Sequence, residues 1–527
     1  MEEDFASFVD RKGWLCYNKK PSICKNRRKT MKTKQIFAML LAALMLSSMA
    51  ACGETAPAAD TEDTAAETPA GETEPLPADS MEARLQVDDG LPEKDFGGAQ
   101  FTVQTTESNN YYLTQEEMTG DVVEDAIYNR NLKVAERFNA ELNFMNDGAY
   151  TDAAVNMKNS VLASEDLYDL VCNGNIEMGL YVADNVFLDF NLVPHVDFTK
   201  PWWSKFVLTD MAYKGVIFMA LGDLDLSHLT GLSCQYYNKD LAVEYGLENI
   251  YDIVNDGRWT FDTFRKTITG IYQDVNGDGV KDEDDRYGYS FELKGNCDHW
   301  LWYAGKKICT AKGDGTYEDT YYDEKVVNLY EFIYDLAWVD QNVYCLNEWN
   351  VPQNMFAKGN TLIGEVNLSY WSWIRDTELN YAIIPGPKWD EHQETYASIT
   401  VGGECQAVLR TAQDLEMIGI LTEALNAESW KTVTTAYYDV ALKFKGARDE
   451  ESIEMLDLIV DNRVLDFGTV YGGWASTGGG AGSWIHRVIR DNSADIASYY
   501  AGRKSGWELW MADIYAGFEE YISTSGT

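Results

Sequence analysis

The sequence is poor in the residues and motifs from which catalytic sites are usually built. Only five histidines occur among 527 residues, and none of them is spaced as a pair of metal ligands. There is no HExxH motif, no GxSxG motif and no phosphate loop ending in GKS or GKT. These absences argue against zinc hydrolases, serine hydrolases and nucleotide-binding enzymes. Carboxylate pairs are abundant, so residue types alone leave a glycosidase open.

Basic residues are also scarce. The chain has 43 Lys or Arg against 85 Asp or Glu, a formal net charge of −42. Residues 1–51 hold ten Lys or Arg and four Asp or Glu, so the remainder of the chain carries −48. Binding to nucleic acid requires a basic face, and we therefore expect no nucleic-acid partner. An anionic ligand is disfavoured for the same reason.

Cysteine occurs nine times but never as CxxC, which excludes the common zinc and dithiol redox motifs. Cys16 and Cys24 precede a long apolar run, and Cys52 directly follows it. The spacing of the other six defines no disulfide framework, so we expect buried free thiols. These six are Cys172, Cys234, Cys297, Cys309, Cys345 and Cys405.

The apolar run has the form of a secretory signal. A basic head at 31–34 is followed by an uncharged apolar stretch at 36–46 and by mostly small residues at 47–51. The apolar stretch is too short to span a bilayer as a stable helix. Residues 1–30 show no periodicity, and we expect translation to begin at Met31, with 1–30 a spurious extension. A longer basic region before the signal is the alternative.

The segment behind the signal has the composition of a disordered tether. Residues 53–80 contain eight Asp or Glu, no Lys, Arg or aromatic residue, and repeated Ala, Thr and Pro. Such a segment cannot bury enough apolar surface to fold. We therefore predict an acidic disordered linker over 52–94.

From Asp95 onward the pattern alternates between strand and helix. Strands are predicted at 100–105, 141–145 and 167–172, with helices at 121–138 and from a cap at Asp152 to Leu162. This order predicts an α/β fold with a mainly parallel sheet flanked by helices on both faces. Later helices are predicted at 261–272, 324–339, 415–426, 433–444, 449–460 and 507–521, a strand at 381–385 and a glycine-rich loop at 472–482.

The sharpest local motif is an acidic loop that follows the helix predicted at 261–272. Oxygen donors occupy positions 1, 3, 5, 7, 9 and 12 of an EF-hand-type calcium loop, and Gly279 takes the sixth position, where a sharp turn is needed. The last ligand is Asp instead of the usual Glu, so its reach is one methylene shorter. We predict a structural Ca²⁺ site, with a metal-free acidic turn as the alternative. The ligands are Asp274, Asn276, Asp278, Val280 through its carbonyl, Asp282 and Asp285.

Tryptophan is abundant, with 16 residues in the chain. An indole face packs well on the C–H face of a sugar ring, while nearby amides and carboxylates bind the hydroxyls. Many tryptophans pack cores instead, and we assign Trp202, Trp203 and Trp259 to that role. The candidates for ligand binding are Trp300, Trp371, Trp373 and Trp474.

Polar candidates come from the ends of predicted strands, where open α/β sheets meet their ligands. Glu107 follows the first strand, Asn173 follows the third, and Asp223 and Glu404 lie at two later turns. The alternative for each residue is a loop or cap role, because such side chains often bond to the backbone.

Several short motifs, taken in order, resemble the extracellular solute-binding lipoproteins of ABC transporters, of the family 1 type that binds sugars and oligosaccharides. The resemblance covers about residues 95–525 and implies a two-lobed, type II periplasmic-binding-protein-like fold with an interlobe cleft. It implies one lobe of 95–222 plus 400–455 and a second of 223–399 plus 456–527. The motifs include Asp95-Phe96-Gly97-Gly98, Tyr168-Asp169-Leu170-Val171, Lys200-Pro201-Trp202-Trp203, Gly257-Arg258-Trp259-Thr260-Phe261 and Ile384-Pro385-Gly386-Pro387-Lys388.

The same resemblance implies a location and a role. Residues 31–51 would be a lipoprotein signal, cut before Cys52, which then carries lipid and holds a monomer on the outer face of the bacterial membrane. The protein would capture an oligosaccharide or other carbohydrate and deliver it to ABC permease subunits, without catalysis. The alternatives are a surface-anchored glycan-degrading enzyme, an adhesin, and a binding protein for a peptide or another small polar solute.

Overall fold

The computed structural model describes residues 81–400, 403–472 and 480–525. The predicted signal, Cys52 and Trp474 lie outside the described residues. Every described residue belongs to one unit, Pro77–Thr527. Within this part of the chain, no helix combines the length and the apolar character needed to cross a membrane.

Thirteen strands occur in the described residues, and most belong to two sheets. In chain order the strands are β1 Ala99–Thr105, β2 Ala140–Asn146, β3 Leu170–Gly174, β4 Ser233–Asn238, β5 Tyr287–Glu292, β6 Cys309–Ala311, β7 Tyr317–Asp319, β8 Val343–Leu346, β9 Thr361–Asn367, β10 Tyr381–Ile384, β11 Ser398–Ile399, β12 Glu404–Ala407 and β13 Arg463–Val464.

Helices separate and cover the strands. The α-helices are α1 Met81–Leu85, α2 Asn110–Leu113, α3 Val122–Phe138, α4 Tyr150–Leu162, α5 Asn175–Gly179, α6 Ser227–Thr230, α7 Lys239–Glu244, α8 Ile250–Asn255, α9 Phe261–Ile268, α10 Trp300–Tyr303, α11 Glu324–Tyr334, α12 Val351–Ala357, α13 Trp371–Ile374, α14 Leu415–Glu428, α15 Glu450–Asp461, α16 Phe467–Val470, α17 Trp484–Arg490 and α18 Ile496–Ser525.

The first sheet has the order β12-β3-β1-β2. β1 runs parallel to β2 and to β3, whereas β12 is antiparallel to β3, with Glu404 opposite Gly174. The carboxyl ends of the parallel strands and the start of β12 therefore share one edge. The three strands predicted at the amino-terminal end of the fold are confirmed, with bounds shifted by one to three residues.

The second sheet has the order β10-β4-β9-β5-β8. β5, β8 and β9 are mutually parallel, and β4 is antiparallel to both of its neighbours. The ends of β5, β8 and β9 at Glu292, Leu346 and Asn367 share an edge with Ser233, where β4 begins.

Helix α3 forms as its sequence predicts. The side chain of Asp121 accepts from the backbone N–H groups of Val123 and Glu124, and apolar residues at helical spacing are buried. Helix α4 differs, because it begins at Tyr150 after Ala149. Asp152 therefore lies inside the first turn, where its charge favours the helix dipole, and the prediction that it caps this helix is wrong.

Two predicted helices contain wider turns than expected. The helix predicted at 324–339 is α11 followed by a π-helical segment, Asp335–Val339. The helix predicted at 433–444 is part of two π-helical segments, Ser429–Val433 and Ala436–Gly446. Apolar periodicity does not distinguish a spacing of 3.6 residues per turn from these wider turns over one or two turns.

The linker predicted over 52–94 ends earlier than expected. Residues 81–85 form α1, and Arg84 lies over the Trp430 ring at 5.3 Å from its centroid. Asp89 forms an ion pair with Arg137 at 2.5 Å. Contacts with folded residues therefore order 81–94, and the prediction of disorder is wrong for this part of the linker.

Two chain crossings join the sheets. The first lies between β3 and β4, where Ala220 pairs with Gln406, and the second lies between β10 and β12. In addition, β11 pairs in parallel with β13, which lies much later in the chain. The long helix α18 contacts the first crossing, where Phe518 stacks on Phe218 with centroids 4.6 Å apart. It also contacts α17, where Trp507 packs on Trp484.

The cysteines contribute to the core as thiols. All six in the described residues are free, and only Cys345 is not fully buried. The expectation of free thiols is confirmed for this part of the chain.

Candidate functional site

Carboxyl groups gather where the edge of the first sheet meets the first crossing. The Tyr150 hydroxyl donates to Glu404 at the start of β12, and the Glu404 backbone N–H donates to Ser227 Oγ over 3.0 Å. The Ser227 N–H in turn donates to Asp225 Oδ1 over 2.7 Å. Residues from three separate parts of the chain are thereby held at one place.

Glu177 completes this group from α5. A Cβ at position 174 would lie 2.3 Å from Glu177 Oε2, so the carboxyl of Glu177 lies directly against the end of β3. We refer to Tyr111, Tyr150, Glu177, Asp225 and Glu404 together as the acidic cluster. Glu404 and Asp225 are buried, whereas Tyr111 is 50% exposed and opens the cluster to solvent.

The carboxyl groups of the cluster hold their protons more tightly than free side chains. Burial raises the pKa of Asp225 to about 8, and the charge of Glu404 acts in the same direction. Burial likewise raises the pKa of Glu404 and of Glu177, the latter also through the charge of Glu404. Burial raises the pKa of the neighbouring Tyr112 to about 12. The carboxyls repel one another, so the ligand-free cluster retains a proton near neutral pH.

Arg130 lies near the cluster, and its charge partly offsets the rise in the pKa of Asp225 that burial causes. Arg130 is fully buried, and its guanidinium donates to the carbonyls of Leu113 and Leu224 and to Ser429 Oγ. Among the described residues, no Lys or Arg forms an ion pair with Glu177, Asp225 or Glu404.

His228 also lies beside the cluster. Its Nδ1 lies 2.8 Å from the Asp225 carbonyl oxygen and its Nε2 lies 3.2 Å from Asp223 Oδ1. Both partners are oxygen atoms of the first crossing. Asp223 also accepts from Thr434 Oγ1 over 3.2 Å. Both ring nitrogens of His228 therefore contact residues of the first crossing.

The edge of the second sheet carries a different set of groups. Glu292 ends β5 and is fully buried, and neither of its oxygens has a hydrogen-bond partner of good geometry among the described residues. Burial raises its pKa to about 7. Lys294 Nζ lies 4.7 Å from the centroid of Trp349, which is 56% exposed. Aromatic and charged groups are thus exposed beside the ends of β5 and β8.

No protein-family model matches the sequence, and no curated protein sequence matches it either. Solved structures do match. A cyclo/maltodextrin-binding protein complexed with maltotetraose aligns with a TM-score of 0.51 at 12% identity, over 81% of this chain and 98% of that chain.

Two further structures align somewhat less well. An ABC substrate-binding protein from Listeria monocytogenes in complex with cycloalternan gives a TM-score of 0.47 at 12% identity, over 81% of this chain and 99% of that one. An ABC transporter solute-binding protein from Agrobacterium radiobacter K84 in complex with ribitol gives 0.49 at 13% identity, over 79% and 100%.

The chain has the two-lobed fold of type II solute-binding proteins. The fold class predicted from the sequence is therefore confirmed. In open α/β sheets, ligands bind outside the carboxyl ends of the strands. Applied to this solute-binding-protein fold, that rule selects the acidic cluster on the first sheet and the Glu292–Lys294 edge on the second as the candidate ligand surfaces.

The fold places the predicted tryptophans differently. Trp300 is fully buried, with its ring centroid 4.9 Å from that of Phe261 and its Nε1 donating to the Tyr289 hydroxyl over 3.1 Å. Its assignment to the cleft is wrong, because aromatic neighbours enclose it. Trp371 is 6% exposed and packs near Gly446.

Trp373 is the predicted tryptophan that faces solvent in the described residues, with 47% of its surface exposed beyond the end of β9. Trp349 is likewise exposed and was not predicted from the sequence. Trp349 follows β8, so the strand-end argument that selected polar residues identifies it as well.

The polar candidates fall into two groups. Glu404 lies in the acidic cluster, and Asp223 binds His228 beside it. Glu107 is exposed after β1. Asn173 is fully buried, and its side chain donates to the Tyr150 carbonyl over 3.1 Å and accepts from the Gly174 N–H over 2.7 Å. Its amide serves the backbone, so the structure does not support a ligand-binding role.

Asp225 is the main residue that the sequence did not reveal. It lies two positions after Asp223 in the first crossing, and only the fold brings it to Glu404. Residues 223–226 form a turn, so no regular alternation along the chain indicated which way the Asp225 carboxylate points.

The acidic loop at 274–285 is folded around its first ligand. Both oxygens of Asp274 accept backbone N–H groups, from Gly277 over 2.7 Å and from Gly279 over 2.9 Å. Gly279 has φ +73°, which supports the sharp turn. Asp285 is fully buried and accepts from the Val275 N–H over 3.2 Å.

The donor set of this loop suits a hard cation, because every predicted ligand offers oxygen. Among the described residues, no three His, Cys, Asp or Glu side chains converge closely enough to hold a metal ion. Asp278 and Asp282 accept backbone N–H groups of Val280 and Asp284 instead. Ca²⁺ binding would therefore require these two side chains to turn toward Asp274.

Proposed function

We propose that this protein is the substrate-binding lipoprotein of an ABC importer, which captures an oligosaccharide or other carbohydrate and delivers it to the membrane permease. The observation that carries the proposal is the pair of sheet edges, each with exposed aromatic rings beside carboxyl groups, joined by two crossings. Aromatic faces suit the C–H surface of sugars, and carboxylates accept from their hydroxyls.

The mechanism follows from two sheets joined at crossings. A ligand that contacts the acidic cluster and the Glu292–Lys294 edge at once binds a closed arrangement better than an open one. Such a ligand shifts the population toward closure, and the permease then recognises the closed surface. We propose that Cys52 carries the lipid that keeps the receptor near the permease.

We also propose that the loop at 274–285 binds Ca²⁺ in a structural role. Asp274, Asn276, Asp278, the Val280 carbonyl, Asp282 and Asp285 would hold the ion. Bound Ca²⁺ would offset half of the negative charge of four carboxylates and tie the loop to the start of β5.

The ligand class is tested by thermal shift of the mature protein against oligosaccharides, peptides and amines. We expect an oligosaccharide to raise the melting temperature and to be recovered unchanged by mass spectrometry. Stabilisation by peptides alone would contradict the proposal, and release of a shorter glycan would favour a degrading enzyme.

A charge-matched pair of variants locates the binding surface. Glu404→Gln removes one carboxylate from the acidic cluster, whereas Glu416→Gln removes an exposed one near the start of α14, at the opposite end of β12. We expect only Glu404→Gln to weaken binding. Equal effects of the two substitutions would place the ligand elsewhere.

A further inference from the structure

The fold satisfies its structural buried carboxylates with neutral donors. Glu423 accepts from Trp202 Nε1 over 2.9 Å, from Trp203 Nε1 over 2.8 Å and from the Asp197 N–H over 3.3 Å. Asp466 similarly accepts the N–H groups of Cys309 and Gly468 over 3.1 and 2.9 Å. Each of these carboxyl groups accepts several hydrogen bonds from donors within the protein.

The acidic cluster is built differently. Asp225 is 3% exposed, yet its Oδ2 has no hydrogen-bond partner among the described residues. Asn175, at the start of α5, is 2% exposed and its Oδ1 also has none. A buried oxygen without a donor is costly, so two of them beside Glu404 mark a place that a ligand's donors fill.

The neighbouring Arg130 and His228 side chains do not supply those donors. The guanidinium of Arg130 is directed to carbonyls and to Ser429, and both nitrogens of His228 face other oxygens. Glu177, Asp225 and Glu404 therefore lie together without an ion pair to a Lys or Arg side chain among the described residues. The missing partner is a group with several donors, no acceptor and a positive charge.

We propose that the acidic cluster receives a protonated amino group, so that the carbohydrate captured by this protein is an amino sugar. This inference rests on the proposed function. An ammonium offers three donors and no acceptor, whereas a neutral hydroxyl adds a lone pair and leaves the charge uncompensated. The raised pKa of Asp225 fits this assignment, because a bound cation takes the place of the proton that the cluster holds when empty.

Aromatic rings at the entrance of the cluster favour the same ligand. The ring centroids of Tyr111 and Tyr112 lie 3.9 Å apart, and Tyr111 is half exposed. A ring face beside carboxylates attracts cations as well as the apolar face of a sugar. The amino group can therefore enter past Tyr111 while the sugar ring rests on it.

The test compares two ligands of one length that differ only in the amine. Binding of tetra-glucosamine and of its fully N-acetylated counterpart is measured by titration calorimetry at pH 6. We expect the free amine to bind about tenfold more tightly or better, which corresponds to one charge-assisted contact. The preference should shrink as salt is added.

Variants connect the preference to the cluster. Asp225→Asn and Glu404→Gln should abolish the preference for the amine, and Glu416→Gln should retain it. Titrations of the unmodified protein in buffers of different ionisation enthalpy add a readout that needs no variant. We expect release of about one proton when the amine binds and none when the N-acetylated tetramer binds.

The outcomes separate this inference from the proposed function. Equal affinity for the two tetramers, or binding of neutral glycans alone, would overturn the proposal that the ligand is an amino sugar. Either result would leave the proposed capture of a carbohydrate intact. Failure of every glycan to bind would overturn the proposed function itself. A preference for the amine that survives Asp225→Asn and Glu404→Gln would place the amino group outside the cluster.

Discussion

His228 shows how single residues tie the crossings together. Its ring contacts Asp223 and the Asp225 carbonyl in the first crossing, and its own carbonyl accepts from Thr400 Oγ1 in the second over 3.2 Å. One residue therefore links both connections between the sheets, through its ring on one side and its backbone carbonyl on the other.

Asp225 makes stability depend on pH. Its pKa is about 8 in the folded protein and about 3.9 in an unfolded chain. The folded state binds the proton more tightly, so this stabilisation is complete below about pH 4 and is lost as pH rises toward 8. We expect the free energy of unfolding to fall from pH 5 to pH 8 more steeply in the unmodified protein than in Asp225→Asn.

Urea unfolding at several pH values measures this difference. The slope attributable to one such carboxyl is at most about 1.4 kcal/mol per pH unit. Parallel curves for the two proteins would show that Asp225 does not titrate in this range.

Trp300 and Trp373 separate packing from binding. Trp300→Ala removes a fully buried indole and should lower the free energy of unfolding by about 3–5 kcal/mol. Trp373→Ala alters an exposed ring and should change it by less than about 0.5 kcal/mol while weakening ligand binding. Urea unfolding and calorimetric titration measure the two effects. A strong loss of stability in Trp373→Ala with unchanged affinity would reverse this assignment.

At the scale of elements, the loop at 274–285 is a segment whose side-chain arrangement should depend on a bound ion. Asp285 accepts from the Val275 N–H, and the turn at Gly279 is fixed by its hydrogen bond to Asp274. Asp278 and Asp282 instead accept from the backbone N–H groups of Val280 and Asp284. An ion would draw these carboxylates inward and stabilise the loop against the start of β5.

We expect chelation by EDTA to lower the melting temperature of the unmodified protein. A site saturated at a hundredfold excess over its Kd contributes about 2.7 kcal/mol. Asp278→Asn should melt at the chelated temperature with or without EDTA. Asp284→Asn, which changes an acidic residue outside the ligand positions, should still respond. Absence of bound Ca²⁺ by elemental analysis, together with no shift on chelation, would exclude the site.

Elements encoded by local sequence could be predicted. The cap at Asp121 and the apolar spacing of α3 are properties of neighbouring residues, and so is the alternation of β1. The π-helical turns at 429–446 could not be predicted, because they depend on packing against α3 and other helices. Glu404 was selected from its position at the predicted return crossing, and the structure places it at the start of β12.

Residues whose role depends on distant neighbours could not be assigned. Trp300 and Trp373 are equivalent in sequence, and only Phe261 and Tyr289 around Trp300 distinguish a core ring from a surface ring. Asp225 meets Glu404 across 179 positions of sequence, through Ser227, and no pattern along the chain indicates that meeting.

At the scale of the whole molecule, the crossings and α18 limit how the two sheets can move. β11 and β13 pair in parallel beside the second crossing, and α18 packs on Phe218 and on Trp484. Motion must therefore concentrate in short segments near Asp223 and Thr400. A hinge of this kind permits rotation of one sheet toward the other while both cores stay packed.

Closure on the ligand is the last expected consequence. Small-angle scattering should show a smaller radius of gyration when a saturating oligosaccharide is added, because the ligand binds both edges. Trp373→Ala removes an exposed ring beside the edge of the second sheet. This variant should bind the ligand more weakly and need more ligand to reach the same compact form. Control titrations with a non-binding sugar should leave the radius unchanged. A radius that stays constant at saturation would favour an adhesin, since a surface that binds without closing gives a permease no signal of occupancy.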